Sequence, residues 1–206
     1  STGAQTYEAN DINITAGADV TFTTTNTAVE FQDGAAGQIV LSDDTDLTIT
    51  TSGGNITIAP TIAGTDSGGG NTAEDITLNA AGGTVTLSNT GAAVLATDIG
   101  DVTLTGATIA LSNSITSTGT NSAGNAATID INGAVTLNDN DITFTTGGAG
   151  IDFSSTIVSG STTPRALTIA QGTGAVVING NIGGTANNDV GNCLLYTSPS
   201  PRDGTK

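Results

Sequence analysis

Apolar residues recur along this chain as short apolar-x-apolar triplets whose middle residue is usually Thr, Asp or Asn. Ile12-Asn13-Ile14, Val20-Thr21-Phe22, Val29-Glu30-Phe31, Ile39-Val40-Leu41, Leu47-Thr48-Ile49 and Ile56-Thr57-Ile58 open the series. Ile76-Thr77-Leu78, Val85-Thr86-Leu87, Val102-Thr103-Leu104, Ile109-Ala110-Leu111 and Ile129-Asp130-Ile131 continue it. Val135-Thr136-Leu137, Ile142-Thr143-Phe144, Ile151-Asp152-Phe153, Leu167-Thr168-Ile169 and Val176-Val177-Ile178 complete it. A period of two sends the apolar side chains to one face and the polar ones to the other, so each triplet predicts a short strand. No stretch has a 3.6-residue period, and Gly interrupts every candidate helix. The chain reads as all-β.

Four segments align as one unit: residues 47–56, 76–85, 142–151 and 167–176 each hold two triplets that start nine residues apart, with a Gly-bearing turn between them. Gly53, Gly54, Gly82, Gly83, Gly147, Gly148, Gly172 and Gly174 supply corner positions that tolerate positive φ. Such self-similarity marks a stacked repeat architecture. The reading is a right-handed parallel β-helix without caps, in which each coil of roughly 18–25 residues lays two or three short strands on the coil below. Two nine-residue units per coil fit that. That gives about nine to ten coils and a rod of about 45 Å at about 4.8 Å per coil. Residues 64–71 and 117–125 read as loops bulging from a coil. A tandem β-sandwich is the alternative, but sandwiches favour strands of about 5–6 residues and aromatic core markers, whereas this chain has four Phe and two Tyr. Outer-membrane barrels need strands of about 10 residues and aromatic girdles. One coil of small aliphatic side chains does not offset the ordering of roughly 20 residues at about 1–2 kcal/mol each. Neighbouring coils must supply the rest, and the unpaired edges of cut coils predict that the chain associates when expressed alone.

Composition narrows the chemistry. The 206 residues carry 3 Lys and Arg against 19 Asp and Glu, a net charge of -16, with one Cys and no His, Met or Trp. Without His, Cys/His zinc sites, Cys-His pairs and the Ser-His-Asp triad are excluded. With three cations, a nucleic-acid surface is excluded, because Lys and Arg supply that affinity. No apolar run approaches the roughly 20 residues that span a bilayer, so no membrane insertion is expected. Ser at position 1 and the absence of Met read as a segment of a longer protein.

From Cys193 the composition breaks. Cys193-Leu194-Leu195-Tyr196-Thr197-Ser198-Pro199-Ser200-Pro201-Arg202-Asp203 resembles the one-frame translation of a transposase-type sequencing-library adapter. The expected division is therefore a β-solenoid over residues 1–192 and a non-native, disordered tail over 193–206. Setting aside Arg202, Lys206 and Asp203 leaves one cation, Arg165, against 18 acids. A sulfur-free acidic chain suits bacterial export.

Two strings, residues 1–7 (STGAQTY) and 167–185 (LTIAQGTGAVVINGNIGGT), carry a family resemblance. They resemble the recurring unit of the large β-strand-repeat exoproteins of bacteria, the filamentous-haemagglutinin-like adhesins. The resemblance implies export, a long surface-bound or shed rod, and roles in adhesion or matrix building. It transfers no catalytic residues.

Candidate sites are sparse. Asp43, Asp44 and Asp46 can chelate Ca²⁺ as an extracellular oxygen site, and Asp139 and Asp141, flanking Asn140, form a second candidate. The competing reading is a solvated turn, where Asp and Asn are favoured. Residues 147–152 (GGAGID) match the start of a calcium-binding nonapeptide once only, and Ser154 breaks the pattern. Acid pairs Asp98/Asp101 and Asp130/Asp152 are positioned for acid-base chemistry only if coils bring them face to face. Outward pairs Thr21/Thr23, Thr48/Thr50, Thr84/Thr86, Thr103/Thr105 and Thr143/Thr145 would form a flat hydroxyl array if stacked, as in ice-binding solenoids, although Thr is also favoured on exposed strand faces.

Together these point to a non-catalytic structural and adhesive segment of a large secreted or cell-surface bacterial protein. Its expected partners are neighbouring repeats of the parent chain and cell-surface glycans or matrix, and no cofactor other than Ca²⁺ is expected. The alternatives are a carbohydrate-binding or polysaccharide-degrading β-helix and an ice-binding solenoid.

Overall fold

A computed structural model describes residues 3–15, 18–42, 45–65, 74–89, 93–95, 98–121, 123–160, 163–184 and 189–196. Its described residues form eighteen strands and no helix. Every pairing between these strands is parallel, which excludes the sandwich. All sixteen triplets lie in strands.

The strands sort into three faces of a β-solenoid. Face A stacks Val20, Leu47, Ile76, Val102, Ile129, Ile151 and Val176 in one column, six steps in all. Face B stacks Gln5, Val29, Ile56, Val85, Ile109, Val135 and Ile157. Face C stacks Ile12, Ile39, Ile62, Leu95, Ile115, Phe144, Ile169 and Leu195. The long strands Gln5–Ile14, Val29–Ser42, Ile99–Leu111 and Ile129–Leu137 turn a corner and contribute to two faces each.

This lowers the coil count and widens the coil beyond two nine-residue units. One turn of the solenoid takes 20–33 residues over three faces, and the six steps of face A at about 4.8 Å make a stack of about 29 Å. A coil of two nine-residue units leaves out the third strand, which several turns mark with a single inward aliphatic residue: Ile62 in Thr61–Thr65, Ile115 in Ser114–Ser117 and Ile157 in Ile157–Ser159. Nor are the four nine-residue units equivalent. Residues 47–56 and 76–85 round the corner from face A to face B, whereas 142–151 and 167–176 round the corner from face C to face A.

Alternation drives the packing. Along Leu47–Thr51, Glu74–Asn79 and Ile142–Thr146 every second side chain is buried. The inward residues form one continuous core, with Phe31, Phe144 and Phe153 its largest members. Aromatics gather at two heights: Tyr7 stacks on Phe31 at 4.8 Å beside Phe22, and Phe144 meets Phe153 edge-on at 4.9 Å. Buried hydroxyls close corners. Thr24, Thr51 and Thr146 end their strands facing inward, and each donates to the carbonyl three residues on, that of Thr27, Gly54 and Ala149 respectively.

The corner glycines serve close approach more than positive φ. Of the eight, Gly53 and Gly148 adopt positive φ. At the corner between faces A and B, Gly54, Gly83, Gly106 and Gly133 lie one above the other. A Cβ on Gly83 would stand 2.5 Å from the Gly54 carbonyl oxygen, and one on Gly106 would stand 3.0 Å from that of Gly83. Successive rungs leave no room there for a side chain.

Of the two expected loops, residues 66–73 lie outside the described residues. The other is a self-contained turn: Asn121 and Asn125 are joined by a 2.8 Å main-chain hydrogen bond, beside an antiparallel bridge between Thr120 and Ala126. The expected boundary at residue 193 falls inside a rung. Cys193–Tyr196 pairs in parallel with Leu167–Ala170, with all four side chains exposed. Main-chain groups make that pairing, so it depends little on which side chains the segment carries. Residues 197–206 lie outside the described residues.

Candidate functional site

Face A presents its outward residues in three parallel columns. Each triplet of the lower rungs is preceded by Asp and carries Thr at its next outward position, in the pattern Asp-φ-Thr-φ-Thr/Asn, where φ here denotes an apolar residue: 19–23, 46–50, 75–79 and 101–105. In register, Thr21, Thr48, Thr77 and Thr103 stack as one column, and Thr23, Thr50, Asn79 and Thr105 as the next. Within a strand these positions are about 6.6 Å apart, and between rungs about 4.8 Å. β-Branched Thr holds few χ1 rotamers, so the array is ordered.

The Asp column is a chain of clamps. Asp19 Oδ1 accepts the main-chain N–H of Asp46 (3.4 Å), and Asp46 Oδ1 accepts that of Asp75 (2.8 Å). Asp75 Oδ1 accepts that of Asp101 (2.6 Å), and Asp101 Oδ1 accepts that of Thr128 (2.7 Å). Asp101 also accepts from the Thr128 hydroxyl and, through Oδ2, from the Asn121 amide. The fifth copy of the pattern, residues 141–145, lies on face C, and there Asp141 Oδ1 accepts the N–H of Ala166 (2.8 Å). Each carboxylate thus holds the amide at the start of the strand above. Asp11, on face C, accepts the N–H of Gln38 in the same way (3.2 Å). The sequence reading passed over this device, although its signal, an Asp immediately before a triplet, stands in the chain six times.

Above Asp101 the pattern changes. Thr128 takes the clamp position and Asp130 moves into the Thr column, opposite Asp152 of the next rung. Thr128, Asp130, Gly150, Ile151, Asp152, Ala175 and Val177 line an open groove of about 220 Å³. Burial, reinforced by the nearby Asp152 and Asp101 carboxylates, pushes the Asp130 carboxyl above its usual range, against a lowering hydrogen bond from Thr128. Asp152 Oδ1 accepts from the Asn179 amide at 3.3 Å. Of the two acid pairs, Asp130/Asp152 is brought face to face. Asp98 and Asp101 stay in one segment, with Asp98 in the left-handed region at φ 61°.

No protein-family model, curated protein or solved structure matches the chain. Its chemistry therefore rests on its own geometry.

Of the calcium candidates, Asp43 and Asp44 lie outside the described residues, and Asp46 belongs to the clamp column. Asp139 Oδ2 accepts the Ser112 hydroxyl at 2.6 Å, and Asp141 clamps Ala166. Asn140 between them donates to the Ser112 carbonyl (2.7 Å) and to Asn113 Oδ1 (3.2 Å). It tops a ladder at the corner between faces B and C in which Asn113 donates to the Asn89 carbonyl and Asn89 to the Thr61 hydroxyl. Among the described residues no three acidic or thiol side chains gather as a metal group. Of the five Thr pairs, Thr21/Thr23, Thr48/Thr50 and Thr103/Thr105 share face A, with Thr77/Asn79 completing the stack. Thr84/Thr86 lies on face B and Thr143/Thr145 on face C. No helix among the described residues is long and apolar enough to cross a membrane.

Proposed function

We propose that this chain is a rigid, non-catalytic stalk segment of a larger secreted or cell-surface bacterial protein, with face A as its lateral contact surface for glycans or matrix. The observation that carries the reading is the repetition itself. One cross-section recurs over six parallel steps, pinned at its corners by glycine, Asn and Asp ladders, with an ordered hydroxyl array along one side. Stacked rungs resist bending because each contributes main-chain hydrogen bonds and core contacts to both neighbours. Hydroxyls, amides and carboxylates are the groups with which neutral and cation-bridged sugars exchange hydrogen bonds.

The test is a panel of neutral and acidic polysaccharides, scored both for retention of the chain and for new reducing or unsaturated ends. Retention without cleavage is the expected outcome. Cleavage that disappears in Asp130→Asn would replace this reading with a polysaccharide-degrading one centred on Asp130 and Asp152.

A second reading, ice binding, is favoured by the four-rung Thr stack, although the Asp column on its border opposes it by holding charged, strongly hydrated groups against the array. Thermal hysteresis that is lost in Thr48→Asp would establish it, and its absence at high protein concentration would remove it.

A further inference from the structure

Exposed large apolar side chains are not scattered over the described surface. All five, Val177, Ile182, Leu194, Leu195 and Tyr196, belong to the last rung and are 39–58% exposed. Val177 and its neighbours form the open edge of face A, Ile182 bridges to Ile157 at the top of face B, and Leu195 stands over Ile169 at the top of face C. Ile182 and Leu195 continue columns that are fully buried one rung below, at Ile157 and Ile169. They are core residues on which no other described residue stacks. The first rung is their counterpart. Tyr7, Ile12, Ile14 and Phe22 belong to the core columns but are only partly buried, because they have a covering rung on one side only.

We infer that the 206-residue chain associates head to tail, the last rung of one copy receiving the first rung of a second. The contact is a continuation of the inter-rung interface that builds each copy: the same three columns, the same parallel polarity, and apolar residues meeting apolar residues where the column would otherwise end. A parallel edge presents unpaired N–H and C=O groups that template another strand. Because the two surfaces differ, the contact is heterologous and does not close on itself, so it propagates as a filament rather than stopping at a dimer. The strong net negative charge opposes lateral clumping and leaves the ends as the favoured contact. This inference does not depend on the proposed lateral binding face.

The test is light scattering across a concentration series of the full chain, under reducing conditions because Cys193 is an exposed thiol. The expected result is mass rising in integer multiples with concentration, and thin filaments by negative-stain microscopy. Leu195→Lys places a charge in the top surface and Ile12→Lys places one in the bottom surface, and each alone is expected to be monomeric with an unchanged far-ultraviolet β signature. Mixed, they retain one intact top and one intact bottom, and a 1:1 dimer is expected. A wild-type chain that stays monomeric at millimolar concentration overturns the inference. So do two variants that still polymerise, since that places the contact elsewhere. Should Ile12→Lys fail to fold, Leu195→Lys mixed with wild type still decides: it is expected to cap and shorten filaments.

Discussion

The lower and upper halves of face A differ by the displacement of one residue type. In the rungs of residues 19–105 the acid precedes the triplet and its carboxylate accepts a main-chain N–H from the next rung. In the rungs of residues 128–153 the acid stands two positions later, at the middle outward site, where Asp130 faces Asp152. The first placement satisfies a carboxylate with a donor that the next rung must offer anyway. The second sets like charges one rung apart and partly desolvates one of them, which raises the Asp130 carboxyl. A shift of two residues keeps the strand pattern intact yet turns a stabilising clamp into an electrostatic liability.

Substitutions at five positions break or sharpen this comparison. Leu104 is fully buried between Leu78 and Ile131, where the two halves meet. Leu104→Ala is expected to cost about 2–5 kcal/mol in urea unfolding and to split a single transition into two, because nearest-neighbour stacking is interrupted there. An unsplit transition would mean that the halves communicate through faces B and C alone.

Gly83→Ala drives a Cβ into the Gly54 carbonyl in the glycine column. The expected loss is about 1–3 kcal/mol, visible as a lower urea midpoint. A neutral outcome would show that the corner can open without cost.

The clamp itself is tested by Asp75→Ala against Asp75→Asn. Removing the acceptor is expected to cost about 1–2 kcal/mol. Asn is expected to recover most of that loss, since Asn55 Oδ1 already holds the N–H of Thr84 in the same way at 3.0 Å. Equal losses in both variants would assign the effect to charge rather than to the hydrogen bond. Asp152→Ala in the upper half is expected to change stability least, or to raise it.

The smallest effect is the pH dependence of Asp130. Its folded-state pKa lies above the ordinary 3.8, so the folded chain holds the proton more tightly than the unfolded chain. That contribution is present below 3.8 and is lost as the pH rises through the folded-state value. Asp130→Asn is therefore expected to be the more stable form at neutral pH and to lose less stability than wild type as pH rises from about 4 to 7. Identical pH slopes for the two proteins would contradict the raised value.

Much of the fold was legible along the chain. Every Ile/Val/Leu/Phe triplet became a strand, because side-chain alternation is a local property of extended backbone and needs no knowledge of the partner. The turn at 117–125 was legible for the same reason, as Asn and Gly close it with short-range hydrogen bonds. The candidate site was less so. The acid pair Asp130/Asp152 was visible as two acids in the middle of triplets, but not as neighbours. The clamps at Asp19, Asp46, Asp75 and Asp101 went unread because each acid's partner is an amide 26–29 residues away.

By itself, then, the sequence determined that this chain is all-β, built of short strands with a dry face and a hydroxyl-rich one, and that it must stack to be stable. Only the tertiary structure decided how many strands close one turn, which corner each nine-residue unit rounds, and which outward residues share a face. Those properties depend on register between rungs 20–33 residues apart. That register is fixed jointly by glycine contacts, Asn and Asp ladders and core shape, none of which a local period of two can encode.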